Sequence, residues 1–201
     1  SRAIANVPRN VPDDVLRQLP KNGGVIMVTF VPGFISQAVA DYNALETAER
    51  TRLEAMPGST PATVTAGLDT WHAAHPAPRA TLSQVADHID HIKQITGIDH
   101  IGFGGDFDGI TTVVQGLEDV STYPALIAEL LKRGYTDDDI HKIAGRNILR
   151  VMRAVEAVDV ADRRHQSGGN GEVDAGDRQQ PLDRRIIPDS LGNLAIKSVE
   201  V

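Results

Sequence analysis

The chain has 201 residues, 41% of them hydrophobic, and its 20 Lys and Arg against 27 Asp and Glu leave a formal net charge of -7. That hydrophobic share builds one core of ordinary size and not two, and the acidic balance offers no basic stripe for a phosphate backbone, so nucleic acid is excluded as an expected partner. With no cysteine, disulfides, zinc ribbons and thiolate catalysis are excluded, and any metal must be held by His, Asp or Glu.

The residues from Ser1 onward carry no initiator Met, basic n-region or apolar h-region, so neither a signal peptide nor membrane association is visible and localisation stays open. The first helix is expected after Asn10, with Pro12 in its opening turn and Asp13 and Asp14 at the positive end of its dipole. Pro20 and Gly23-Gly24 are expected to end it. Gly24 to Phe30 (GVIMVTF) reads as a strand apolar on both faces, which belongs inside a sheet covered by helices. A helix is expected from about Gln37 to Met56, broken by Pro57-Gly58-Ser59. A short helix around Val64 to His72 follows, and the next, capped by Thr81, runs to about Ile95 and stops at Gly97.

A second buried strand is read at Asp99 to Phe103, leading into Gly104-Gly105-Asp106. The long loop from Gly104 to about Ser121 is the first place to look for a site, because functional strand-to-helix loops have this length and glycine content. Helices are then expected at Tyr123 to Lys132, at Asp137 to Ile143 behind a Thr136 cap, and from Asn147 to about Val158. The composition turns to Arg, Gln, Gly and Asp from about Asp162, with Gly168-Gly169-Asn170-Gly171 typical of a flexible linker. The organisation is thus one α/β unit over residues 1–160 and a tail over residues 161–201, in which Ile186-Ile187 and Leu194-Ala195-Ile196 are short apolar patches.

The strongest chemical signal is Gly102-Phe103-Gly104-Gly105-Asp106-Phe107-Asp108-Gly109 at the end of the second strand. Active sites of parallel α/β folds gather at the C-terminal ends of strands, and paired glycines let a ligand approach the backbone. The alternative is a strand-end turn in which Asp106 caps local N–H groups. A calcium loop fails here because Ile110 and Leu117 stand where oxygen ligands are needed, and a dinucleotide fingerprint fails at Phe107. His88 and His91, three apart on a helix, have a spacing metals use, but without a matching Glu they read as a polar flank of an amphipathic helix. Asp137-Asp138-Asp139 is explained by the helix dipole. Arg9, in a loop before a helix, can bind a carboxylate through a bidentate pair, although Arg2, Arg17 and Arg79 qualify equally on composition.

The blocks Arg9-Asn10-Val11-Pro12-Asp13-Asp14, GGVIMVTFVPGFIS, LSQVADHIDHIKQITGIDH, IGFGGDFDGI, GLEDVSTYPALIAELLKRGY and NILRVMRAVE, in this order from Ser1 to Val158, resemble the membrane (renal) dipeptidases, peptidase family M19. The resemblance implies the C-terminal part of a metal-dependent-hydrolase (β/α)8 TIM barrel, incomplete in this chain, with the strands here the seventh and eighth. It implies two bridged zinc ions that generate a hydroxide near neutral pH and polarise the scissile carbonyl of a dipeptide, with tolerance for a D-residue at the C-terminal position. It puts the substrate-carboxylate Arg at Arg9. The Asp that contacts the bridging water and the substrate's amino end, serving in proton transfer, falls at Asp106.

The family's metal ligands, a His-x-Asp pair, a bridging Glu and two later His, align with nothing here and would precede Ser1. The expectation is therefore a truncated chain that binds no zinc and is inactive alone, since two strands cannot close a barrel. Its own partner is a dipeptide, and a homodimer is possible because an open barrel exposes apolar surface. Two other readings stand beside it: a non-catalytic α/β binding module that keeps the Arg9 and Asp106 pocket, and an amidohydrolase acting on another small amide.

Overall fold

The computed structural model describes residues 1–167, with 160–167 as backbone only. Two parallel strands form its sheet: β1, Ile26–Thr29, and β2, Ile101–Gly105. Ile26 lies opposite Ile101 and Val28 opposite Phe103, and a one-residue slip then sets Thr29 against Gly105. The Phe30 N–H donates to the Gly105 carbonyl at 2.7 Å, so the strands stay joined to their C-terminal ends.

Parallel strands need a long crossover, and here it is helical: α3 (Pro32–Ile35), α4 (Gln37–Glu54), α5 (Pro61–Ala74) and α6 (Leu82–Thr96). Before β1 come α1 (Asp13–Leu16) and α2 (Leu19–Asn22), and after β2 come α7 (Tyr123–Lys132), α8 (Asp137–His141), a π turn at Lys142–Arg146 and α9 (Asn147–Ser167). Reciprocal capping boxes start three of these helices, Thr60 with Thr63, Thr81 with Gln84 and Thr136 with Asp139, each satisfying two orphan donors. Gly97, at φ 79°, ends α6.

The core lies between α6 and the strands. Val85, Ala86, Ile89 and Ile92 of α6 are buried against Val28, Phe30, Ile101, Leu126 and Leu130. Each aliphatic side chain so buried contributes about 1.5–3 kcal/mol. On the outside of this layer, Arg133 ties α6 to α7 through Asp87 and Asp90 at 2.7 Å and Glu129 at 2.9 Å. At the other end of the strands, Asn147 donates to the Ile98 and Ile101 carbonyls, both at 2.8 Å, and Arg150 to those of Gly23 and Asp99.

Helices α4 and α5 form a hairpin. Leu53 fills the space beside Gly67, where a Cβ would lie 2.7 Å from it, and Tyr42 packs on Trp71 with ring centres 5.1 Å apart.

Three elements differ from the sequence expectation. The first helix is two short ones, and Pro20 opens the second: lacking an N–H, it cannot continue a helix from Leu16 but suits a first turn. The run after Ile140 winds into a π turn before α9, whose backbone continues past Val158 to Ser167. The long loop after β2 is pinned: the Gln115 N–H donates to the Ala80 carbonyl and Gln115 accepts from the Leu82 N–H, with Val114 and Leu117 buried beside them. The tail patches Ile186-Ile187 and Leu194-Ala195-Ile196 lie outside the described residues. Among the described residues no helix is long and apolar enough to cross a membrane.

Candidate active site

Both strands end on the same side, and the segments that follow them wall an open cleft of about 440 Å3. Val31, Pro32 and Phe34 after β1 make one wall, Gly109 to Thr112 after β2 make the other, and Val39, Ala40 and Asn43 of α4 extend the first. An aromatic cluster stands at the strand ends. Phe30 meets Phe107 with ring centres 6.0 Å apart and Tyr123 at 5.7 Å, and burial raises the Tyr123 hydroxyl above the usual tyrosine range.

Asp106 sits where β2 becomes this wall. Among the described residues it is the one non-glycine with positive φ, at 89°, in the left-handed region that side chains other than Asn and Asp rarely enter. Gly105 before it is also left-handed, and a Cβ there would lie 3.0 Å from the Tyr123 hydroxyl. The chain then turns sharply, with the Gly109 N–H donating to the Asp106 carbonyl at 3.2 Å. A non-glycine residue held in the left-handed region, with an exposed carboxylate, is an arrangement that recurs at functional sites.

Arg9 is exposed, its guanidinium carbon 5.0 Å from the centre of the Phe34 ring. A guanidinium over a ring face gains from the cation–π attraction. Arg2, which qualified equally on composition, instead donates to the Pro8 carbonyl at 2.7 Å and serves the loop. Phe34, under the Arg9 guanidinium, lines one wall of the cleft, and Gly109, beside the Asp106 carboxylate, lines the other.

The histidines serve the scaffold. His88 is buried rather than a polar flank: its Nε2–H donates to the Ile35 carbonyl at 3.0 Å while Nδ1 accepts from the Ser1 nitrogen at 2.6 Å. Burial, and then the Ser1 ammonium, push its pKa down to about 4. His91 reaches Asp13 at 2.8 Å and His100 the Gly24 carbonyl at 2.7 Å. In the acidic run at α8, Asp139 closes the capping box and pairs with Lys93, while Asp138 pairs with Lys142 and Arg146. Among the described residues no group of three or more His, Asp or Glu converges as a metal-holding set. The donors on these strands and helices therefore do not fit a two-zinc centre by themselves.

Sequence reasoning missed two residues. Asn10, buried beside Arg9, clasps the loop to α3, and Phe34 supplies the ring under Arg9. Asn10 stood in view next to Arg9, but nothing local shows that its partner carbonyl lies 24 residues away.

Residues 1–166 match the family description of the membrane dipeptidases, peptidase family M19. The chain is 37% identical over 160 residues to dipeptidase tcpJ of Claviceps purpurea, covering 79% of this chain and 29% of that protein. It is 35% identical over 188 residues to human dipeptidase 3, covering 94% of this chain and 30% of that protein. It therefore spans about 30% of the length of these relatives. Among solved structures, the probable dipeptidase PvdM from Pseudomonas aeruginosa superposes with a TM-score of 0.59 at 28% identity, covering 74% of this chain and 41% of that one. A Rhodobacter sphaeroides metallopeptidase, solved with a phosphinate mimic of L-Ala-D-Ala, shares the fold at a TM-score of 0.50 and 23% identity, covering 73% of this chain and 31% of that one.

Proposed function

Because this chain belongs to the membrane dipeptidase family, peptidase family M19, we propose that it forms the substrate-holding side of a zinc dipeptidase site built on the (β/α)8 barrel. What supports this reading is a cleft at the C-terminal ends of two parallel strands whose lining includes Phe34, the ring under the Arg9 guanidinium, and Gly109, the residue beside the Asp106 carboxylate. A dipeptide is a small molecule with an anion at one end and a cation at the other. In this reading Arg9 takes the C-terminal carboxylate through charge-assisted hydrogen bonds, and Asp106 takes the amino end and holds a proton in transit at its carboxylate. In this reading the metal-holding side chains come from other strands of the barrel, as the resemblance to the family implies.

The test is a titration of the isotope-labelled 201-residue chain with a dipeptide and with the same dipeptide as its C-terminal amide, read by NMR. Shifts at Arg9, Phe34 and Asp106 with the free acid, lost with the amide and in Arg9→Ala, are expected. Equal response to acid and amide overturns the role of Arg9. With zinc added, the same preparation is expected to leave the dipeptide intact. Hydrolysis by these residues alone overturns the assignment of the metal ligands to other strands.

A further inference from the structure

The Arg9 site depends on a side chain that does not face the cleft. Asn10 is buried, and its carboxamide nitrogen has two hydrogens to give. It lies 2.8 Å from the Ala5 carbonyl and 2.8 Å from the Phe34 carbonyl, with the Ser1 carbonyl farther off at 3.4 Å. One bond closes the Asn10 loop on itself, alongside the Asn10 N–H to Val7 carbonyl bond at 3.1 Å. The other crosses to the last turn of α3.

That helix has only four residues, so its final carbonyls lack partners of its own. Two buried side chains from elsewhere supply them, Asn10 at Phe34 and His88 at Ile35. The Phe34 backbone is thereby fixed to the residue that follows Arg9, and the Phe34 ring is the surface over which the guanidinium lies.

We propose that Asn10 is a positioning residue for the carboxylate-binding Arg9: by holding the Ala5 and Phe34 carbonyls together, it sets the guanidinium over the Phe34 ring at the mouth of the cleft. This rests on the substrate reading given above for the identity of the ligand, but not for the geometry. Without the brace, the Phe34 carbonyl loses its tie to the residue after Arg9 while His88 still joins Ser1 to Ile35, and the guanidinium must be ordered anew over the ring each time a carboxylate binds.

The experiment uses the full chain and its Asn10→Ala and Asn10→Ser variants. The Arg9 Nε–H resonance reports the ring current of Phe34 and needs no ligand. In Asn10→Ala that resonance is expected to move toward its random-coil position, and the preference for a dipeptide over its C-terminal amide to fall about tenfold, the loss of roughly one charge-assisted hydrogen bond. Asn10→Ser, which keeps one donor, is expected to fall between. A folded Asn10→Ala chain with the Arg9 resonance and the acid preference unchanged overturns the proposal, whatever its denaturation midpoint.

Should Asn10→Ala not fold, the wild-type Asn10 carboxamide protons decide. Slow exchange and proximity signals to Ala5 and Phe34 support the brace, and free exchange overturns it. A wild-type chain that binds no dipeptide defeats the substrate reading alone, because the Arg9 resonance still reads the positioning.

Discussion

Asp106 Oδ1 occupies the space that a side chain at position 109 would need: a Cβ on Gly109 would lie 2.5 Å from it. The carboxylate thus folds back over its own turn, and the absence of a side chain at Gly109 is what leaves it there. Gly109→Ala is expected to swing the carboxylate aside and weaken dipeptide binding. Stability should change by less than about 1 kcal/mol, since the group displaced is the exposed end of a side chain. Urea midpoints with dipeptide titrations check this; unchanged binding would show that the Asp106 carboxylate has no part in holding the substrate.

The left-handed backbone at Asp106 separates conformation from chemistry. Asp106→Gly is expected to match or exceed the wild-type midpoint while removing the carboxylate, and Asp106→Ala to cost about 1 kcal/mol, because Ala pays the left-handed penalty that Gly avoids. Equal midpoints for the two variants in chemical denaturation would count against strain at this position.

Acid sensitivity should centre on His88. Burial holds it at about 4 in the folded state against an ordinary 6.5. It binds a proton more weakly when folded, so the unfolded chain takes up more protons as pH falls. The His88 contribution is present above pH 6.5 and is lost progressively toward pH 4, up to about 3 kcal/mol. Urea midpoints measured from pH 8 to 4 are expected to fall, and His88→Gln to start lower and fall less steeply below pH 6.5.

Asn147 holds two carbonyls at the entrance to β2 from a buried position. Asn147→Ala leaves both without a partner in a place water does not reach, an expected cost of about 2–4 kcal/mol. Asn147→Asp, which cannot donate, should be at least as damaging. A midpoint within 0.5 kcal/mol of wild type, roughly the scatter of surface substitutions, would refute the inferred bonds.

Much of this architecture was legible from local chemistry. The Thr81 cap and the Gly97 stop bound α6, the Thr136 cap opens α8, and the two β-branched runs lie at the strands. These are decided by neighbours within four residues, which a sequence displays. Asp106 was found because it follows a buried strand, whereas Arg9 was singled out from Arg2, Arg17 and Arg79 only by the resemblance of its block.

What escaped depends on distant partners. His88 read as a polar flank because the residues that bury it, Ser1 and Ile35, are 87 and 53 positions away. The π turn at Lys142–Arg146 escaped because the extra residue it accommodates leaves the helical pattern almost intact.

The α4–α5 hairpin hangs from the molecule by its root. The first turns of α4 bring Val39, Ala40 and Asn43 to the cleft, while beyond them the two helices pack mainly on each other through Leu53, Gly67, Tyr42 and Trp71. Lengthening, shortening or repainting this arm can therefore change what enters the cleft while the turn at Asp106 and the clasp made by Asn10 keep their own contacts.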